Sequence, residues 1–213
     1  MTTQTTPLGR NAVQRLVLTV VAYLPLLAND MGRVAADTKA YLYLDPGRLL
    51  ARAPYMWHPE VALGTVTHQN IGYLWPVGPF FWLGEALGLP DWVTQRLWLG
   101  SVLLAAGLGM RWFLRTLGWR GSALLVSSLA YMLSPYLLNY VDRHSVILLP
   151  WAGLPWLMGL TVRALRTKGW RHAAVFGLVA LTIGGVNASS LLLVGIGPVA
   201  WLVWCGLERS ASW

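Results

Sequence analysis

Long apolar runs separated by short polar stretches dominate the pattern of this chain of 213 residues. The polar N-terminal stretch MTTQTTPLGRNAVQR precedes the first apolar run, LVLTVVAYLPLLA. Five further runs approach the length of about 20 residues that a helix needs to cross a bilayer. They cover residues 95–114, 122–141, 145–163, 172–188 and 190–207. The pattern predicts an all-α polytopic membrane protein with about six transmembrane helices.

The first apolar run admits two interpretations. A basic stretch, an apolar run and the small residues Val34-Ala-Ala36 resemble a secretory signal with its cleavage motif. The spans that follow favour an uncleaved first membrane helix instead. In both cases the chain beyond residue 30 is expected on the exported side.

Composition supports the membrane assignment. Hydrophobic residues make up 56% of the chain and charged residues 11%, against about 25% charged residues in an ordinary soluble domain. The net charge of +8 could indicate nucleic-acid binding, but no basic run or basic–aromatic cluster accompanies it. We therefore predict that the protein lies in a lipid bilayer and does not bind nucleic acid.

The basic residues predict the orientation of the spans. If the chain has six spans, four clusters of basic residues lie on the same side of the membrane. They precede the first span, separate the second from the third and the fourth from the fifth, and follow the sixth. That side should be cytoplasmic, which gives a multi-pass protein of the plasma membrane with both termini in the cytoplasm. Residues 30–94 then form a large first extracytoplasmic loop. The clusters contain Arg10, Arg15, Arg111, Arg115, Arg120, Arg163, Arg166, Lys168, Arg171 and Arg209.

One segment of this loop, IGYLWPVGPFFWLGEALGLP at residues 71–90, is apolar enough to be a seventh span. A seventh span would move the later basic clusters to the other side of the membrane. Pro76, Pro79 and several glycines oppose a long straight helix. We interpret the segment as interfacial or re-entrant.

The stretch RVAADTKAYLYLDP at residues 33–46 concentrates polar chemistry close to the first helix. The loop holds six of the eight acidic residues of the protein. Asp37, about two turns beyond the helix, could act as a general base on an acceptor hydroxyl. Arg33 and Lys39 could bind a phosphate. This combination favours group transfer from a lipid phosphate, whereas a loop whose charges only keep it in water is the alternative.

Other polar and aromatic residues could form a sugar site. Stacking rings together with amide groups are typical of such sites, although tryptophan is also a common interface anchor. The single cysteine and the scattered histidines have no metal-ligand spacing, so we predict no metal and no cofactor. The candidate substrate-binding residues are Trp57, His58, His68, Gln69, Asn70 and Tyr73, with Arg143 and His144 in the turn before the fourth span.

The runs RVAADTKAYLYLDPGRLLARAPYMWHPE and HQNIGYLWPVGPFFWLGEALGLPDWVTQRLWLG carry a family resemblance. The order of motifs along the chain resembles the N-terminal region of the actinobacterial arabinofuranosyltransferase D family, whose members are GT-C glycosyltransferases. These motifs are ADTK, DP–RxLxRA–W, GY-aromatic-P, GLPxWVTQRLW and Leu133-Ser-Pro135. The resemblance is close over residues 30–165. It implies that residues 1–213 form a single membrane domain, a GT-C-like bundle whose first extracytoplasmic loop contains interfacial helices.

The resemblance also implies a chemistry. It assigns the catalytic carboxylate to Asp37 of ADTK in preference to Asp30. The donor would be a polyprenyl-phosphate-linked arabinofuranose, the acceptor a growing arabinan of the cell envelope, and Arg33 and Lys39 the phosphate contacts. Members of the family are far longer, so the remainder of a longer or split enzyme is an expected partner and the isolated chain is expected to be inactive. A transporter or flippase component and a non-catalytic membrane subunit remain alternatives.

Overall fold

A computed structural model of the chain describes residues 7–35, 41–59, 61–66, 70–141, 143 and 145–211. The described residues are mainly helical. A short antiparallel hairpin pairs β1 (Trp57–His58) with β2 (Thr65–Val66), and a 3-10 helix covers Ile71–Leu74. The α-helices are α1 (Pro7–Ala28), α2 (Tyr41–Leu44), α3 (Pro46–Arg52), α4 (Val77–Ala86), α5 (Asp91–Thr116), α6 (Ala123–Met132), α7 (Pro135–Tyr140), α8 (Ser145–Thr167), α9 (Trp170–Gly184) and α10 (Ala188–Ala211).

Four helices are long and apolar enough to cross a membrane: α1, α5, α8 and α10. They correspond to the first, second, fourth and sixth predicted spans, which are confirmed to that extent. The fifth run forms α9, which has 15 residues. At 1.5 Å per residue α9 is roughly 22 Å long, less than the hydrocarbon core of about 30 Å.

The third predicted span, residues 122–141, is not one continuous helix. It divides into α6 and α7 at Ser134 and Pro135. The Ser134 hydroxyl accepts a hydrogen bond from the Leu137 backbone N–H at 3.4 Å, as an N-cap residue does. Pro135 suits the first position of a helix and not an interior one, because it lacks an N–H and its ring clashes with the preceding turn.

Residues 71–90 do not form a spanning helix. The 3-10 helix and the 10-residue α4 account for most of the segment, and α4 is roughly 15 Å long. Its location at the membrane interface stays a prediction. The hairpin of β1 and β2 is a feature that the all-α assignment missed, and α5 begins at Asp91, four residues before the apolar run that predicted it.

Helices α5 and α8 form the centre of the bundle. In the apolar segments of α5 and α8, 56% of the residues are buried inside the protein, against 17% in α1 and 11% in α10. Glycines let neighbouring helices approach α5 closely: Gly100 lies under the Tyr23 ring of α1, and Gly109 lies under the Trp156 indole of α8. Trp156 Nε1 also donates to the Ala105 carbonyl at 2.9 Å.

The two ends of the bundle differ in character. At one end, the start of α1 meets the ends of α5 and α8, because Arg111 donates to α1 side chains and Arg166 donates to the Thr116 carbonyl. At the other end, Trp98 Nε1 donates to Ser145 Oγ at 3.3 Å. There, Trp75 in the first loop also reaches Thr182 Oγ1 at 3.1 Å. Arg111 of α5 and Arg166 of α8 thus lie at the end where α1 begins, and the loop between α1 and α5 covers the other end.

Candidate active site in the first loop

The segment after α1 is held against the start of α5 by a pair of hydrogen bonds. The Ala35 N–H donates to Gln95 Oε1 at 2.7 Å, and Gln95 Nε2 donates to the Ala35 carbonyl at 2.8 Å. Gln95 is fully buried. A buried amide whose donor and acceptor are both used fixes the backbone of Ala35 relative to α5.

The chain is anchored again soon afterwards, in α2. Leu42 is buried, and the Tyr43 ring packs edge to face against Phe81 of α4 with centroids 5.3 Å apart. Asp37 and Lys39 lie outside the described residues, as do His68, Gln69 and His144. The structure therefore describes the supports on both sides of the ADTK motif.

A cavity of about 380 Å³ lies between the end of α1 and the start of α5. Its lining consists of Pro25, Leu26, Asn29, Asp30, Arg33, Val34, Ala35 and Arg96. Arg33 is exposed, whereas Arg96 keeps only 8% of its surface accessible. Arg96 Nη2 makes one long hydrogen bond of 3.5 Å to the Arg33 carbonyl, and its Nε has no hydrogen-bond partner among the described residues.

The charges around this cavity favour an anion. Two guanidinium groups, of Arg33 and Arg96, face one carboxylate, that of Asp30, so the described lining carries a net charge of +1. A buried charge that is incompletely paired is unfavourable by several kcal/mol, and a bound anion would relieve that cost. The guanidinium fork matches the geometry of carboxylate and phosphate oxygens.

Metal ligands are not grouped in the described part of the chain. No set of three His, Cys, Asp or Glu side chains there is placed to hold a metal ion. The absence of a metal and of a cofactor stays a prediction.

Two of the predicted sugar-binding residues share a second cavity, of about 660 Å³. Trp57 and His58 of β1 line it together with Arg52, Tyr55 and Met56. The Trp57 indole lies over Gly64, where a side chain would collide with the ring. The exposed aromatic rings beside an imidazole and a guanidinium give this cavity both stacking and hydrogen-bonding groups.

The other described candidates lie elsewhere. Asn70 and Tyr73 are buried, and the Tyr73 N–H donates to the Asn70 carbonyl at 2.9 Å at the start of the 3-10 helix. Tyr73 belongs to the hydrophobic core, a position that favours a structural role; its part in substrate binding stays a prediction. Arg143 is exposed two residues before Ser145, at the same end of the bundle as the start of α5.

Gln95 and Arg96 are the site residues that the sequence analysis missed. A signal was visible, because TQR interrupts the apolar pattern at the start of the second span. Polar residues at such a position mark functional sites in membrane proteins. Their partners lie 60 and 63 residues away along the chain, so their pairing was not readable from local spacing.

A bundle of long apolar helices with a polar, arginine-lined cavity at one end defines a multi-pass membrane protein. Residues 20–213 match the family described as "Alpha-(1->3)-arabinofuranosyltransferase, N-terminal GT-C domain". The chain belongs to this family, which confirms the resemblance seen in the sequence.

Relatives and solved structures agree with this assignment. The alpha-(1->3)-arabinofuranosyltransferase of Mycobacterium tuberculosis is 37% identical over 190 residues, covering 87% of this chain and 14% of the relative. That of Mycolicibacterium smegmatis is 36% identical over 178 residues, covering 82% and 12%. The cryo-EM structure of arabinofuranosyltransferase AftD from Mycobacteria aligns with a TM-score of 0.82 at 33% identity, over 88% of this chain and 15% of that one. The chain thus spans about one seventh of the length of the relatives it matches.

Proposed function

We propose that this chain is the N-terminal GT-C part of an arabinofuranosyltransferase that acts at the extracytoplasmic face of the plasma membrane. It would transfer arabinofuranose from a polyprenyl-phosphate donor to a hydroxyl group of cell-envelope arabinan. Asp37 is the general base, and Arg33, Lys39 and Arg96 hold the donor phosphate. Membership of the family supports the class of reaction, and the site residues are our inference.

The observation that carries this proposal is the state of Arg96. Its guanidinium is buried beside the cavity, its Nε is unpartnered among the described residues, and its one hydrogen bond to a carbonyl is long. A sugar phosphodiester carries one negative charge, which balances the net charge of +1 on the described lining. Arg96 lies where an arriving phosphate would complete its hydrogen bonding.

The position of Asp37 in the sequence agrees with this role. It follows Ala35 by two residues, and Ala35 lines the same cavity while held by Gln95. Consecutive Cα atoms are separated by about 3.8 Å, so the clamp on Ala35 limits how far the Asp37 backbone can be from the cavity.

The reaction needs one proton acceptor and one charge acceptor. As the acceptor hydroxyl oxygen bonds to the anomeric carbon, the Asp37 carboxylate takes the hydroxyl proton. The bond between the anomeric carbon and the phosphate oxygen breaks, and polyprenyl phosphate leaves with the electron pair. Because the phosphate changes from a diester to a monoester, it gains negative charge. Arg96 would therefore stabilise the transition state more than the bound donor.

The acceptor would approach from the loop. The cavity of Trp57 and His58 offers rings on which pentoses can stack. Further substrate contacts are proposed, as the sequence predicts, for Asn70, Tyr73, His68, Gln69, Arg143 and His144. Because the chain covers about one seventh of its relatives, the rest of a full-length enzyme would complete the acceptor site.

A chimera tests the proposal. Residues 20–213 of this chain would replace the matching segment of the Mycolicibacterium smegmatis relative, and arabinofuranose transfer from a polyprenyl-phosphate donor would be measured. Asp37→Asn should lower kcat by roughly 10²- to 10⁴-fold, since the general base is lost. Asp91→Asn, a matched removal of an exposed carboxylate in the first turn of α5, should leave kcat within about twofold.

Three outcomes would contradict the proposal. Full activity of Asp37→Asn would remove Asp37 as the base, and a loss confined to Asp30→Asn would transfer that role to the carboxylate lining the cavity. An unaltered chimera that binds donor without transferring arabinose would favour a non-catalytic subunit.

The side of the membrane is tested separately. A reporter fused after Trp170, at the start of α9, should be active in the cytoplasm, because the basic end of the bundle is expected to face inward. A reporter signal from the exported side would reverse the orientation and exclude an extracytoplasmic active site.

A further inference from the structure

A third cavity lies at the opposite end of the bundle from the Arg96 cavity, where α1 begins and α5 ends. Its volume is about 420 Å³. We call it the basic cavity. Its lining includes Asn11 and Gln14 of α1, Arg115 of α5, and Trp119 and Arg120 of the turn before α6. The proposed transfer reaction makes no use of it.

The floor of the basic cavity is rigidly held. Gln14 is 5% exposed; its Nε2 donates to the Gly121 carbonyl at 3.0 Å, and its Oε1 accepts from Arg111 Nε at 3.2 Å. Asn11 Oδ1 accepts from Arg111 Nη2 at 2.7 Å. The buried guanidinium of Arg111 thus lies behind the two amides that line the cavity and fixes their positions.

The helices and the turn that form the basic cavity bring arginines to this end of the bundle but no acidic residue. Residues 1–29 and 97–141 contain five arginines and no Asp or Glu: Arg10, Arg15, Arg111, Arg115 and Arg120. None of the described residues that line the basic cavity is acidic. Arg15 and Arg115 are close enough for their charges to act on Arg111. An anion in the cavity would offset this repulsion.

We propose that the basic cavity binds a phosphate group, carried either by an anionic phospholipid headgroup or by a free phosphate. Arg115 and Arg120 are exposed and supply guanidinium donors that match phosphate oxygens. Trp119, half exposed, brings to the rim an indole of the kind that settles at headgroup depth. The volume lies within the range of about 300–1,000 Å³ typical of small-ligand sites.

Native mass spectrometry of the whole chain in an uncharged detergent tests this proposal. The chain should retain phosphatidylglycerol at least about tenfold more strongly than phosphatidylcholine, since each arginine near an anionic headgroup strengthens the binding of that lipid. Arg115→Gln/Arg120→Gln should abolish the preference. Lys168→Gln/Arg171→Gln removes the same charge at the same end but outside the basic cavity, and it should retain the preference.

A second arm identifies the source of the phosphate. Inorganic phosphate that displaces phosphatidylglycerol from the chain, with the same loss in Arg115→Gln/Arg120→Gln, would assign the site to a soluble phosphate. Retention of the lipid in excess phosphate would assign it to a headgroup.

The proposal is overturned if the unaltered chain retains both lipids equally, or if the two double variants lose the preference to the same degree. Circular dichroism checks folding. If Arg115→Gln/Arg120→Gln does not fold, the single variant Arg120→Gln, in the exposed turn, replaces it and should lower the preference about threefold or more.

Discussion

Two buried arginines on one helix, Arg96 near the start of α5 and Arg111 near its end, have opposite surroundings. Arg111 is 3% exposed and donates to two side-chain oxygens of α1, from Gln14 and Asn11. Arg96 is 8% exposed, has one long bond to a backbone carbonyl, and keeps an Nε without a partner among the described residues.

The difference separates a structural arginine from one available to a ligand. Buried polar groups are normally hydrogen-bonded, so an exception calls for an explanation such as a bound ion or water. Arg111 ties α1 to α5 through protein acceptors. Among the described residues, Arg96 has no side-chain acceptor, and it lines a cavity next to Ala35. This asymmetry supports a phosphate site at its end of the helix.

Of the two arginines, Arg96 should have the larger effect on arabinose transfer, tested by Arg96→Gln in the chimera. Loss of a donor to a phosphate that gains charge should lower kcat by roughly 10²- to 10³-fold. The melting temperature should change by less than about 3 °C, since little bonding within the protein is lost. Arg96→Lys should recover part of kcat, and Arg115→Gln on the same helix serves as a control that leaves kcat unchanged.

A fall in stability without a change in kcat would make Arg96 a structural residue like Arg111. The comparison between the two ends of α5 would then fail.

The reverse pattern is expected for Arg111→Met. The substitution leaves the amides of Asn11 and Gln14 without their donor, which should lower the free energy of unfolding by about 2 kcal/mol. Relief of repulsion from Arg15 and Arg115 offsets part of the loss. Denaturation in detergent measures the change, with Arg171→Met, at an exposed position of α9, as the control. A stability equal to that of the unaltered chain would show that the Arg111 bonds contribute nothing net.

The smallest effect is expected from a substitution at Gln95, beside Arg96 at the start of α5. Gln95→Met removes both hydrogen bonds to Ala35 and should lower stability by only about 1 kcal/mol, because water can replace bonds to this exposed segment. Hydrogen exchange of residues 29–35 should rise about fivefold or more. Gln14→Met, which disrupts the other end, should leave exchange in residues 29–35 unchanged; equal exchange in both variants would show that Gln95 does not hold the segment.

Several features were predictable because their signals are local. Runs of apolar residues gave the positions of α1, α5, α8 and α10. The break between α6 and α7 has a readable cause in Ser134 and Pro135, although total apolar length suggested one span. The hairpin of β1 and β2 was missed, since two residues in each strand leave no periodic pattern.

By itself, the sequence determined the class of the protein, the long helices and the grouping of basic residues at one end, because hydrophobic length and charge alternation are properties of short segments. It also singled out Arg33 and the ADTK motif as candidate chemistry. The tertiary structure decided which buried arginine is satisfied. Arg111 finds acceptors 97 and 100 residues away, and Gln95 finds Ala35 at a separation of 60. Hydrogen bonding at such separations depends on how the helices pack, so it is settled only once α1 lies against α5.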